Sequence, residues 1–233
     1  MVAVYTIRFI TLRSMKITIL AALLILAGCT ANSKITGFTQ AEIDYFLEIA
    51  LGAEFGDDVP VIKKWTDDIR IKISGSPTSQ DLQTIKTIVE DLKTLSVKIK
   101  IVDKKENVNI IFTPEKEFSK LDDNYVPKNY GFFWSLWHDD NYEIYEANIL
   151  VASTEITQQE RSHLIREELT QSLGLMNDSD KYKDSIFYQN WTDITDYSEI
   201  DKTTIRLLYH KNIKTGMTKD EILEILNSNE IEQ

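Results

Sequence analysis

Glu167, Glu168, Gln171, Gly174 and Asn177 stand at a spacing that could do chemistry. On a helix, residues 167 and 171 are one turn apart on a shared face, and residue 168 lies beside the first. Residue 177 can fold back toward them if the chain bends at Gly174, since glycine alone tolerates the backbone such a bend demands. Side chains placed in this way can grip a metal ion, while the carboxylate next to the first polarises a water molecule for attack. Zinc is held by neutral imidazoles in such an arrangement, and here carboxylate and amide groups occupy the ligand positions Glu167, Gln171 and Asn177. Tight zinc binding is therefore not expected. These are weak, hard donors that suit calcium or magnesium, and there are few of them. No cofactor is expected. Two uses of the stretch remain: a hydrolase with Glu168 as general base, or a polar helix face that lines a cleft or a buried hydrogen-bond network.

The three histidines offer no better ligand set. His163 lies one turn before Glu167, giving a stripe of His163, Glu167 and Gln171, but a set moved back by one turn places the general base at Leu164. His138 falls in an expected hairpin turn. His210 falls at a helix C-terminus, where a cation suits the macrodipole. Glycines are too sparse for a G-x-S-x-G nucleophile elbow.

The chain of 233 residues carries a formal charge of -11. Tracking phosphates needs a basic stripe, and none is visible, so nucleic acid is excluded as a partner. Arg8, Arg13 and Lys16 precede an apolar run from Ile17 to Leu26, followed by Leu26-Ala27-Gly28-Cys29. The run is shorter than the roughly 20 residues a span requires. It reads as a lipoprotein signal peptide in which Cys29 becomes the acylated first residue, with Met15 as an alternative start. Removing residues 1–28 deletes three positive charges and takes the charge from -11 to -14. Cys29 is the only cysteine, so no disulfide or thiolate metal site can form within the chain. The expected location is the cell envelope, lipid-anchored, in the outer membrane of a cell that has one.

The elements that must position the motif follow from periodicity. Thr39 caps a helix predicted to about Phe55, with Ile43, Phe46, Leu47 and Ala50 as its apolar stripe. Asp68 to Ile73 alternates as a strand and ends at Ser74-Gly75-Ser76-Pro77. Ser79 to Leu95 reads as an amphipathic helix, and Val97–Val102 and Val108–Phe112 as strands. Tyr130–Trp137 and Tyr142–Ala152 form a hairpin turned at residues 138–141. Its aromatics Tyr130, Phe132, Phe133, Trp134 and Trp137 read as one buried face with cross-strand pairs, or as an edge strand that holds an extended peptide. Thr154 is expected to cap the motif helix, Glu155 to Leu173. A further helix spans about Ser198 to Tyr209, and the last begins at the Thr218/Glu221 capping pattern. This order implies an α+β fold with a mixed sheet.

The block from Arg166 to Met217 resembles a metzincin, and more closely the domain of unknown function 2927 family of secreted bacterial proteins. The helix with its glycine bend carries the resemblance to HExxHxxGxxH. Asp184-Ser185-Ile186-Phe187 resembles a Met-turn with Phe187 in place of Met, and Asp201-x-x-x-Ile205-x-x-Leu208-Tyr209 resembles the family's C-terminal helix. The resemblance implies a zincin-like mixed twisted sheet, an active-site-type helix and a small, mainly helical C-terminal lobe. Covering most of residues 60 to 217, and taken with the signal-peptide reading, it divides the chain into a signal peptide (1–28), a lipid-anchored tether with the first helix (29–59), an N-terminal lobe (60–176) and a C-terminal lobe (177–233). Zinc and peptidase activity do not carry over, because His is missing at 167, 171 and 177 and Met at 187. The expected protein is an envelope-anchored binding or structural module. Its partners would be the membrane, through the lipid, and an extended peptide or envelope protein in the cleft; a peptidase-like hydrolase is the rival.

Overall fold

The computed structural model describes residues 37–52, 59–122 and 125–227, which all fall in one compact unit, Asn32–Gln233. The expected signal peptide, Cys29 and the far end of the first predicted helix lie outside these residues.

Helix α1 spans Gln40–Leu51 and starts where expected: Thr39 accepts from the Glu42 N–H, and the Glu42 carboxylate accepts the Thr39 N–H at 2.7 Å. Strand β1 (Ile69–Gly75), helix α2 (Ser79–Thr94), strand β2 (Ile99–Ile101) and strand β3 (Val108–Thr113) follow. A 3-10 turn at Glu115–Lys120, absent from the sequence reading, leads to β4 (Gly131–Trp137) and β5 (Ile144–Ala152). Helices α3 (Gln158–Gln171), α4 (Glu199–Leu208) and α5 (Lys219–Asn227) complete the order. Among the described residues, no helix is long and apolar enough to cross a membrane.

The five strands lie in the order β2-β1-β3-β5-β4. The first four run parallel, and β4 returns antiparallel at the edge, so the sheet is mixed as expected. Strand β5 is buried on both faces from Ile149 onward. Ala147, Ile149 and Val151 join the main core with the helices, while Leu150 and Ala152 face a smaller cluster under Phe118. The aromatics of β4 split in the same way. Phe133 and Trp137 pack on the main core, and Phe132 and Trp134 join the smaller cluster, their rings 5.8 Å apart. Tyr125 stands edge-on to Phe132 at 6.2 Å, so aromatic pairing here runs along β4 and into the preceding loop.

Helix α3 begins later than expected. Its cap is Thr157, whose hydroxyl accepts the Glu160 N–H while the Glu160 carboxylate accepts the Thr157 N–H at 2.6 Å. Thr154 has no acid three residues on, and Glu155 takes a φ of 72°, which ends any helix through it.

Candidate functional site

Helix α3 buries ten residues, of which only Leu164, Ile165 and Leu169 are apolar, so the other seven need polar partners. At its start Asp81, fully buried, accepts Gln158 Nε2 at 2.7 Å and pairs with Arg161 at 3.4 Å. In its middle the Arg166 guanidinium lies 4.3 Å from the Tyr197 ring centre and pairs with Asp91 at 2.9 Å. At its end Trp65 Nε1 donates to the Ser172 carbonyl at 2.9 Å, and the Tyr209 hydroxyl to the Leu173 carbonyl at 3.1 Å. The chain then turns at Gly174, where φ is 112°. A Cβ there would lie 2.0 Å from the Lys63 carbonyl oxygen, so glycine is required twice over.

A cleft of about 420 Å³ opens along the remaining face. Glu160, His163, Glu167, Glu168 and Gln171 line it from α3. Lys128, Tyr130 and Gly131 close one side at the start of β4, and Asp178, Tyr188, Gln189 and Trp191 close the other. That second wall is tied down by the loop at 184–187, where the Ser185 hydroxyl donates to Asp201 Oδ1 at 2.5 Å and the Ile186 N–H to Oδ2 at 3.1 Å. Asp201 is fully buried and also closes the capping box of α4 with Ser198. Burial raises its carboxyl above the ordinary 3.8, although Ser185, Ser198 and Ile186 hydrogen bonds pull the other way.

Of the residues singled out by spacing, Glu167, Glu168 and Gln171 share the cleft and Asn177 does not. Asn177 turns to α1, where its side-chain amide donates to the Glu48 carbonyl at 3.1 Å and its backbone N–H to the Ile49 carbonyl at 3.2 Å. Gln171 Nε2 donates to Asp178 Oδ1 at 2.8 Å. Glu168 is 7% exposed and abuts the β4 backbone, for a Cβ on Gly131 would meet its Oε1 at 2.4 Å. Glu167 reaches back one turn to His163, with Oε2 3.3 Å from Nε2. Among the described residues, no group of three or more His, Cys, Asp or Glu side chains is placed to hold a metal ion.

The pairing of His163 with Glu167 was not anticipated, although the i, i+4 spacing was visible. Nδ1 of His163 lies 2.7 Å from the Ile194 carbonyl and the ring stands edge-on to Trp191 at 5.8 Å. Burial works against the imidazolium, yet the Glu167 carboxylate, the Ile194 carbonyl and Asp193 together outweigh it and raise the pKa above 6.5. His138 lies in the hairpin turn as expected, stacked on Tyr145 at 4.6 Å. His210 is not the dipole-stabilised cation expected of it. Burial and the neighbouring Lys211, Lys64 and Lys214 lower its pKa and favour the neutral ring.

Fold and site together define an α+β protein in which a polar helix face opens on an acidic cleft beside a sheet edge. Residues 40–228 match the family described as "Protein of unknown function (DUF2927)", and the chain belongs to that family. Among solved structures it is similar to "Crystal structure of myroilysin", at 12% identity and a TM-score of 0.44, covering 77% of this chain and 99% of that one. It is also similar to "Structure of Myroilysin", at 14% identity and a TM-score of 0.43, with the same coverage. No curated protein matches the sequence.

Proposed function

We propose that the chain is a binding module of the bacterial envelope whose cleft takes an extended, positively charged peptide segment laid along the edge of β4. The observation that carries this reading is the charge of the cleft: Glu155, Glu160, Glu167, Glu168 and Asp178 stand in its lining against Lys128 and His163. Such a concave, one-signed surface concentrates ligands of opposite charge. Strand β4 supports the reading further. Among the described residues it pairs only with β5, and its sequence Gly-Phe-Phe-Trp-Ser-Leu-Trp carries neither the charge nor the proline that usually guards an edge. Main-chain hydrogen bonds from that edge would give affinity, and the acidic cleft would select cationic side chains.

Fluorescence anisotropy tests this with labelled peptides of equal length, one lysine-rich and one glutamate-rich. Binding of the lysine-rich peptide alone, weakened by salt and by methylation of alternate backbone amides, is expected. Equal binding of the two peptides, or of neither, refutes the proposal.

A second reading, hydrolysis with Glu168 as general base, is favoured by the place of that carboxylate in the cleft lining, beside Gly131 of the edge strand. Cleavage of a bound peptide that is lost in Glu168→Gln would establish it; equal rates in the two proteins would remove it. Anchoring through Cys29 completes the proposal, and Cys29→Ser should release the protein from membranes. Membrane association that survives the substitution rules the anchor out.

A further inference from the structure

The cleft lies toward the C-terminal ends of the parallel strands, where Gly131 of β4 pairs with Val151 of β5. At the other end of the sheet, where β1 begins at Ile69, a second cavity of about 470 Å³ is lined by Lys64, Lys98, His210, Lys211 and Lys214. Asp67 and Glu143 are the carboxylates in its lining. In a chain of net charge -11, this is a local reversal of sign.

Lys64 is only 8% exposed, and its Nζ donates to the Leu208 carbonyl at 2.8 Å and the Ile213 carbonyl at 2.5 Å. Those bonds cap the C-terminus of α4 and explain why a lysine is tolerated there. They use two of its three N–H donors, and no described carboxylate pairs with it. Helix capping does not account for the rest of the cluster. Lys98, Lys211 and Lys214 are exposed on the rim, and none is ion-paired among the described residues. His210 Nδ1 accepts the Asn212 N–H at 3.2 Å, so the neutral ring carries its proton on Nε2 as a further donor.

The groups repel one another. Burial, then Lys214, pulls Lys64 down to about 8, and His210 is lowered by burial and by Lys211, Lys64 and Lys214. A bound anion would relieve this repulsion. Its chemistry follows from the donors: every permanent cation is an ammonium, a point charge suited to phosphate, and no guanidinium fork is present to select a planar carboxylate. Trp65 and Tyr209 supply aromatic wall beside the charges, as a pocket for a small organic anion would have.

We propose that this pocket binds a phosphate-bearing ligand, independently of the cleft, through Lys64, His210, Lys211 and Lys214.

The test uses the full chain and the ring C–H signals of its three histidines, with His210 assigned by the loss of its signal in His210→Gln. Inorganic phosphate is titrated against sodium chloride at matched ionic strength. A saturable shift confined to His210, with a rise in its pKa, is expected. Lys211→Gln combined with Lys214→Gln removes two exposed charges, leaves the fold intact, and should weaken half-saturation at least about fivefold. No saturable shift of His210 up to about 20 mM phosphate, an equal shift in chloride, or unchanged binding in the double variant would each overturn the proposal. After a positive titration, co-sedimentation with phosphatidylglycerol vesicles that the double variant loses assigns the phosphate to a lipid headgroup. Free phosphate binding without co-sedimentation assigns it to a soluble phosphorylated compound.

Discussion

Asp201 is the post that holds the second wall of the cleft. Its two oxygens accept the Ser185 hydroxyl at 2.5 Å, the Ile186 N–H at 3.1 Å and the Ser198 N–H at 2.9 Å. In Asp201→Ala all three donors lose their acceptor. The Ser185 hydroxyl can turn to Tyr45, 2.8 Å away, only if Tyr45 stops donating to it, so one hydroxyl proton of that pair goes without an acceptor; water can reach the part-buried Ser198 N–H, but the Ile186 N–H stays buried with nothing to bond. Stranding the buried N–H costs about 1–3 kcal/mol, losing the capping box about 1 kcal/mol, and leaving one hydroxyl proton of the Ser185/Tyr45 pair without an acceptor about 1 kcal/mol. The expected loss is about 3–5 kcal/mol, a large share of an ordinary domain's stability. Asp201→Asn separates geometry from charge. Its amide oxygen can accept both backbone N–H groups and its amide nitrogen can donate to Ser185, so it should lose less than about 1.5 kcal/mol. The sign with pH follows from the raised pKa of Asp201. A carboxyl whose folded pKa exceeds its unfolded value contributes stability at low pH, below about 4, that disappears as the pH rises through the folded value. The Asn variant should therefore gain on the wild type as the pH is raised from about 4 to 7. Urea unfolding followed by tryptophan fluorescence measures all of this, provided the slope m is unchanged. A loss in Asp201→Ala below about 1 kcal/mol, or an equal loss in both variants, would refute the reasoning.

Three further outcomes are expected. Gly174→Ala must relieve a 2.0 Å approach to the Lys63 carbonyl at φ 112°, and should lose about 3 kcal/mol or fail to fold, as thermal or urea unfolding would show. Lys64, held near 8 against an ordinary 10.5, gives the unfolded chain more bound protons between those values, so stability should rise with pH by up to about 3 kcal/mol. Above pH 10 the raised pKa values of Tyr45, Tyr197 and Tyr209 reverse the trend. Unfolding in phosphate-free buffer should show both limbs, with the rise missing in Lys64→Met. In Glu167→Gln the burial of His163 loses its main opponent, so the imidazole pKa should cross from above 6.5 to below it in an NMR titration.

Much of the fold was legible because it rests on local rules. The Thr39/Glu42 and Thr218/Glu221 patterns cap α1 and α5 as read, and alternation marked β1, β3 and β5. Thr154 misled because a cap depends on the residue three positions later, and Thr157 with Glu160 meets that condition better. The aromatic run of β4 was harder, since two-sided burial depends on the loop over the sheet that brings Phe118 and Tyr125 to its second face. The site was legible as a helix face and a bend, but not as a set of partners. Glu167 bonds His163 within the helix, at a spacing the sequence shows, but the group Gln171 bonds, Asp178, depends on where the chain goes after Gly174, and no helical spacing contains that.

Asn177 lies outside the cleft that Glu167 and Gln171 share. It occupies the third ligand position by spacing, yet its side chain lies so close to Gly52 that a Cβ there would meet Asn177 Cγ at 2.5 Å, and its amide is bonded to Glu48. Imidazoles introduced at 167, 171 and 177 should thus fail to converge at this last position alone. Glu167→His with Gln171→His puts two imidazoles one turn apart at the cleft, enough for weak zinc binding. Adding Asn177→His forces a larger ring against α1, strips the Glu48 carbonyl of its donor, and should cost about 2 kcal/mol without tightening zinc. Zinc titration and urea unfolding of the double and triple variants measure both effects. A tenfold gain in zinc affinity from the third histidine would mean that residue 177 can swing into the cleft, and that α1 does not hold it.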